Sequence, residues 1–168
     1  MGNWLRSIAW KLLIRAIRRK FPTVQQISTQ ELANWLGQAR TKPLLLDVRS
    51  PEEYAVSHLP DAQRIDPYTQ DFRAFEGIST DRPIVAYCSV GYRSARLCDR
   101  LQAAGYENVR NLEGSIFQWV NEGRSVERAG QPVQTVHPYN ARWGLLLQKK
   151  HWFEPVKHYT KPTERSSA

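Results

Sequence analysis

Cys88 follows the apolar run Ile84-Val85-Ala86-Tyr87 and precedes Ser89-Val90-Gly91-Tyr92-Arg93-Ser94, which opens a helical pattern running to Ala104. In an open α/β sheet, ligands bind just outside the carboxyl ends of the strands, which is where this cysteine would stand. A loop entering a helix aims several backbone N–H groups at one point, and the helix dipole adds positive potential there. Both favour thiolate over thiol, so the chemistry to expect is nucleophilic attack by Cys88 near neutral pH. Gly91 allows a tight loop. Arg93 brings a permanent charge to the rim, suited to an anionic substrate. Cys98, on the following helix, reads as a core-facing residue rather than a resolving thiol.

The elements that must hold this loop are legible as short apolar runs alternating with helical patterns. Strands are expected at Val24–Ile27, Leu44–Val48, Ala62–Ile65, Ile84–Tyr87 and Val109–Leu112. Leu44–Val48 is interrupted only by Asp47, as a strand covered on both faces would be. Ser28-Thr29-Gln30-Glu31 and Ser50-Pro51-Glu52-Glu53 are capping boxes, each starting a helix. A short helix is expected at Asp71–Phe75 and a last one at Ser115–Asn121, while Gly105 is placed to end the helix after the cysteine loop. The order implies an α/β fold: a mostly parallel sheet of about five strands flanked by helices.

Five segments resemble, in order, the signatures of the rhodanese family. They are Ile27-Ser28-Thr29-Gln30-Glu31-Leu32, Leu46-Asp47-Val48-Arg49-Ser50-Pro51-Glu52-Glu53-Tyr54, His58-Leu59-Pro60-Asp61-Ala62, Cys88 to Ser94, and Leu112-Glu113-Gly114-Ser115 through Trp119. The likeness covers roughly residues 23–125. It implies a single-domain sulfurtransferase in which Cys88 takes sulfur from thiosulfate or a persulfide donor, holds it as a persulfide and passes it to a thiol or protein acceptor. It further implies that the loop residues Ser89, Val90, Gly91, Tyr92, Arg93 and Ser94 bind substrate, that Arg93 meets the donor's sulfonate, and that neither metal nor organic cofactor is needed. Asp61 and Ser115 stand where the family has glycine, which puts the local backbone shape in question. Phosphatases and arsenate reductases of the same fold carry a loop one residue longer. The four residues between Cys88 and Arg93 match the shorter, sulfur-type spacing, which leaves a phosphatase or arsenate reductase of the same fold as a minor alternative.

Other polar candidates have structural readings. Asp47 either tunes the pocket or makes a structural hydrogen bond or ion pair at the strand end, near Arg49, and Arg49 is expected to bridge to Glu53. His58 reads as structural, Trp119 as core, and His137, His151 and His158 as solvated. Arg96 and Arg100 form a solvated face, with Arg96 able to widen the positive rim.

The net charge of +8 is carried by the ends. Residues 1–22 hold six Lys/Arg and no acid, residues 23–128 twelve against fourteen acids, and residues 129–168 six against two. Three units follow: a basic N-terminal extension (1–22), the central domain (23–128) and an aromatic, basic, irregular C-terminal extension (129–168). Residues 3–20 form an amphipathic helix with Ala9, Trp10, Leu12, Leu13, Ile14, Ala16 and Ile17 on one arc. That arc suits an anionic membrane surface, or equally the domain or a partner protein. The C-terminal extension is too apolar for a plain disordered tail. Two cysteines are too few for a disulfide framework and lack zinc spacing. The segment is broken by basic residues, unlike a secretory signal. A cytoplasmic protein is expected, peripheral to a membrane if the helix binds lipid. With the bases at the ends and no recognised motif, nucleic-acid binding is not expected. The alternative to an enzyme is a scaffold whose extensions dock on a membrane protein complex.

Overall fold

The computed structural model describes residues 2–38, 40–69, 75 and 77–154. Most of the helix expected at Asp71–Phe75 lies outside the described residues, as does His158. The chain opens with helix α1 (Asn3–Lys20), followed by β1 (Gln25–Ile27), α2 (Thr29–Gln38), β2 (Leu44–Asp47), α3 (Pro51–Val56) and β3 (Gln63–Arg64). Then come β4 (Ile84–Tyr87), α4 (Tyr92–Ala103), β5 (Val109–Leu112) and α5 (Ser115–Asn121). The five strands pair in parallel in the order β1-β5-β4-β2-β3, so the α/β fold expected from the alternating pattern is present.

β4 is central, and all its residues and those of β2 are buried. The two-residue alternation of a strand sorts these side chains onto opposite faces. Leu45, Val85 and Tyr87 join Leu32 of α2 and Ile116 and Phe117 of α5 in one core cluster. Leu44, Leu46, Ile84, Ala86 and Cys88 join Leu97 and Leu101 of α4 in the other. Helices therefore cover both faces, and Cys88 leaves the sheet on the α4 side. Both capping boxes close. Ser28 and Glu31 exchange bonds at the start of α2, and Ser50 and Glu53 do so at the start of α3, where Pro51 occupies the first turn.

α1 contributes Trp10 to the first cluster and Ile17 to the second, while Leu13 packs against both. It thus straddles the two layers, and Ile17 reaches the Cys88 loop at Gly91. Part of the apolar arc read from the sequence faces the domain. The exposed apolar residues of α1 are Trp4, Leu5 and Ile8, together with Leu12 and Ala16 from the arc itself. Arg18, Arg19 and Lys20 in its last turn suit the negative end of the helix dipole.

The C-terminal extension is organised around the first core cluster. A hairpin of β6 (Val126–Arg128) and β7 (Gln131–Val133) crosses the 128/129 division. It is followed by the short α6 (Ala141–Gly144) and a 3-10 turn at Lys149–His151. Val136, Leu146 and Leu147 are buried in the cluster. Asn121 at the end of α5 donates to the Leu146 carbonyl at 2.9 Å and accepts the Gln148 N–H at 2.8 Å. His151, read as solvated, is buried with its Nδ1 2.8 Å from the Gln134 carbonyl, because the extension folds back over it. Burial lowers its pKa below the ordinary value; the Gln134 contact opposes this and nearby Lys150 assists it.

The docked α1 is testable. Ile17→Ala and Trp10→Ala should each lower the unfolding free energy by about 2–4 kcal/mol, the usual effect of emptying a large buried site. Urea denaturation measures this, and unchanged midpoints would show that α1 contributes nothing to the domain's stability.

Candidate active site

The loop from Cys88 to Gly91 is gripped from behind. The first amides of α5, Ile116 and Phe117, donate to the carbonyls of Cys88 and Ser89 at 3.2 Å each. Ser115 Oγ accepts the Cys88 N–H at 3.1 Å and donates to the Leu112 carbonyl at 3.0 Å. Ser115 is itself held at φ 50°, the left-handed conformation that glycine adopts most easily. The serine at this glycine position therefore keeps the turn's shape and adds a hydroxyl that fixes the Cys88 backbone. Asp61 likewise adopts φ 60°, so both departures from the glycine pattern preserve the local geometry.

On the front of the loop, Gly91 takes φ 108° and caps α4, which begins at Tyr92, two residues earlier than its apolar pattern suggests. Its N–H points at Cys88 Sγ, 3.1 Å away. Burial by itself pushes the Cys88 thiol up, but the Arg93 charge and the N–H groups of Ser94, Gly91 and Val90 outweigh it. The net shift is downward, toward thiolate. Cys98 is pushed the other way: burial raises its thiol pKa, backbone contacts at Ala86 and Cys98 offset this only in part, and the side chain packs in the core as expected.

Arg93 is anchored by a carboxylate that the local sequence pattern assigns elsewhere. Glu53 at the start of α3 accepts both guanidinium Nη groups at 2.8 Å, and Ser89 Oγ donates to it at 2.8 Å. Burial raises the Glu53 pKa, but the Arg93 bonds and charge, with the Ser50 amide and Ser89 hydroxyl, bring it down to about 2. The expected Arg49–Glu53 bridge is not formed. Arg49 turns back to Asp47, 2.6 Å away, with both side chains fully buried, and also donates to the Ser57 carbonyl. Asp47 and Arg49 thus brace the end of β2 rather than line the pocket. The signal for Glu53 was available in its position, a capping-box residue in the first turn of the helix after β2, but the partner lies forty residues away.

Of the loop residues, Ser89, Val90, Gly91 and Ser94 are buried with Cys88, whereas Tyr92 is exposed and its ring meets Phe21 edge-on. Ser94 Oγ is committed to Asn111 at 2.6 Å, so its hydroxyl is a structural tie to β5. Arg93 also lies under the Tyr139 ring and Arg96 under the Tyr68 ring, each guanidinium carbon 4.9 Å from the centroid. Arg100 is held by the Pro67 and Thr69 carbonyls rather than solvated. His58 stacks on Tyr54 at 4.1 Å, a structural contact outside the pocket. Trp119 packs in the core and donates to the Ser125 carbonyl. A cavity of about 500 Å³ opens over Cys88, and its walls include Leu13 and Ile17 of α1 and Trp143 of α6. Neither extension was assigned to the site by the sequence reading.

The sequence profile of the rhodanese-like domain matches residues 28–122. The chain is 36% identical over 100 residues to a sulfurtransferase of Allochromatium vinosum, covering 60% of this chain and 92% of that one. It is 25% identical over 134 residues to the thiosulfate:glutathione sulfurtransferase of Saccharomyces cerevisiae, covering 68% and 95%. In a probable adenylyltransferase/sulfurtransferase of Mycobacterium tuberculosis the similar stretch is 24% of the chain. Among solved structures, a rhodanese-like domain protein of Staphylococcus aureus superposes with a TM-score of 0.55 at 30% identity, covering 62% of this chain and 98% of that one.

The Glu53–Arg93 pair makes a signed prediction. A carboxylate whose folded pKa is depressed from 4.5 to about 2 stabilises the fold above pH 4.5 and loses that contribution as pH falls through 2. Glu53→Gln should therefore lose about 3 kcal/mol at pH 7. The gap from wild type should narrow as pH drops below 4.5. A gap independent of pH in urea titrations would rule out the ion pair as its source.

Proposed function

The chain belongs to the rhodanese-like domain family, and from that premise we propose that it is a sulfurtransferase carrying sulfane sulfur on Cys88. The observation that carries the reading is the Gly91 N–H on Cys88 Sγ at the start of α4, in surroundings that favour thiolate. In the first half-reaction the Cys88 thiolate attacks the outer sulfur of thiosulfate. The sulfur–sulfur bond breaks, its electron pair leaves with sulfite, and Cys88 becomes a persulfide anion. In the second, an acceptor thiolate attacks the terminal sulfur, forming its own persulfide and restoring the Cys88 thiolate. The relatives named for sulfur transfer, one of them from thiosulfate to glutathione, support this donor and acceptor chemistry. The amides of Val90, Gly91 and Ser94 face the nucleophile and suit a terminal sulfur anion. Both Nη groups of Arg93 are taken by Glu53, so Arg93 acts on the thiol's charge and a sulfonate reaching it has to compete with that carboxylate.

The test is intact mass after incubation with thiosulfate, then with a thiol. Wild type should gain one sulfur, about 32 Da, and lose it to the thiol, as covalent transfer requires. Cys88→Ala should gain nothing. Absence of any gain from thiosulfate or a persulfide donor would favour the scaffold reading, in which the fold serves to dock its extensions.

The outward face of α1 supports a second element of the proposal, attachment to an anionic membrane surface. Trp4, Leu5, Ile8 and Leu12 are exposed on a helix that also exposes Lys11, Arg15, Arg18 and Arg19, the composition of an interfacial helix. Among the described residues no helix is long and apolar enough to cross a membrane. Removing residues 1–22 would also uncover the core at Trp10 and Ile17, so the informative variants are Trp4→Ser and Leu12→Ser, which leave that packing alone. Both should sediment less with vesicles containing phosphatidylglycerol than wild type does. Equal sedimentation at low and high salt would remove the membrane from the account.

A further inference from the structure

The walls of the Cys88 cavity differ in character from its floor. The floor is the loop, with its amides and thiol. The walls are apolar and come from outside the segment matched by the family profile: Leu13, Ala16 and Ile17 of α1, and Tyr139 and Trp143 of the C-terminal extension, facing Tyr68. A volume of about 500 Å³ lies within the range of small-molecule sites, roughly 300–1,000 Å³. A thiosulfate ion would leave most of it to water against apolar surface.

The aromatic rim is held in place. Tyr139 adopts φ 64°, a left-handed conformation unfavourable for a side chain of its size, and its N–H is tied to His137 Nδ1 at 3.0 Å. That backbone sets its ring over Arg93 while leaving the residue exposed. Trp143 is positioned by Asn140, whose side chain caps α6 by accepting the Trp143 N–H at 3.0 Å. Gly144, the next residue, presses so closely on Trp152 that a Cβ there would meet its ring at 2.6 Å. Among the described residues, the large exposed apolar side chains include Tyr68, Tyr92 and Tyr139, all three lining this cavity.

The charge is matched to one anion. Arg93 and Arg96 are the charged side chains of the lining, and Glu53 already neutralises Arg93. Arg96 forms no ion pair among the described residues and stacks on Tyr68 at the rim.

We propose that the pocket selects an organic sulfane-sulfur donor with an apolar or aromatic body and a single negative charge, in preference to inorganic thiosulfate. The inference rests on Cys88 being the sulfur carrier and adds the class of donor. With a thiosulfonate as probe, the Cys88 thiolate attacks its outer sulfur, a new sulfur–sulfur bond forms, and the cleaved bond's electron pair leaves with the sulfinate. One negative charge stays on the persulfide and one on the sulfinate, so no further reactant is needed. The aryl body lies between Trp143 and Leu13, and the anion faces Arg96.

The test compares p-toluenethiosulfonate with methanethiosulfonate, which has the same charge and reacting group but no body, and with thiosulfate. Loading of Cys88 is followed by intact mass over time. Wild type should show the highest kcat/KM for the aryl donor. Ala16→Trp, at an exposed helix position that fills the cavity without touching the core, should cut the aryl-to-methyl ratio by about ten-fold, the scale at which apolar pockets discriminate. Trp143→Ala should cut it in the same direction. Ratios identical in all three proteins would overturn the proposal. Failure of every donor to load Cys88 would instead remove the carrier reading beneath it.

Discussion

The ion pair between Glu53 and Arg93 is the constraint on which the site depends. Glu53 opens the helix after β2, and Arg93 lies in the first turn of the helix after β4, its neighbour in the sheet. Their bidentate contact, shared with the Ser89 hydroxyl, locks two strand-to-helix turns together at one end of the sheet. Buried ion pairs repay desolvation only when their remaining bonding capacity is filled, and here the Ser50 amide and the Ser89 hydroxyl help to fill it. Loss of Glu53 would leave a half-buried guanidinium unpaired beside the thiol, whereas the intact pair keeps one fixed positive charge near Cys88 and cancels its excess. The Cys88 thiol is thereby biased toward thiolate by short-range amides and a compensated charge, not by a broad positive field. This agrees with a central segment that is slightly acidic while the ends are basic.

Local rules recovered the local features. The cysteine after a buried strand, the glycine that turns the loop, both capping boxes and the five strands were legible because each is set by neighbours within a few residues. The same rules failed where partners are remote. Arg49 and Glu53 have helix-like spacing, so a bridge between them is the natural inference. But Arg49 leaves the strand end pointing inward, where Asp47 is two residues away and both side chains are fully buried, and Glu53 is claimed by an arginine from another turn. His151 looked solvated because the residues that cover it, brought by the folding back of the extension, have no periodic signal. Asp61 and Ser115 looked like threats to the backbone. They occupy the glycine conformation anyway, and Ser115 offsets the strain with a hydroxyl bonded on both sides.

The N-terminal helix shows why an amphipathic pattern cannot by itself name its partner. An arc of seven apolar residues is wider than one contact surface requires. The structure divides the helix's apolar residues, using Trp10, Leu13, Ile14 and Ile17 against the domain and leaving Trp4, Leu5, Ile8 and Leu12 outside. The packed set is the more consequential. It brings an aliphatic wall to a loop whose backbone alone would offer only amides, and Ile17 reaches the loop at the point where Gly91 leaves no side chain in the way.

The two extensions meet the same loop from opposite ends of the chain. A nucleophile at a helix N-terminus is chemically general, since amides and a thiolate accept any donor that presents a sulfur at the right distance. Selectivity has to come from surfaces that touch the rest of the substrate, and on the proposed reading those surfaces are Leu13 and Ile17 from one end and Tyr139 and Trp143 from the other, which line the cavity. Because α1 also exposes its second apolar stripe beside basic side chains, the element that walls the cavity is the element best suited to lie on a charged surface. An amphiphilic sulfur compound partitions to such a surface, so the chemistry of the pocket wall and that of the outer helix face are consistent with one class of ligand.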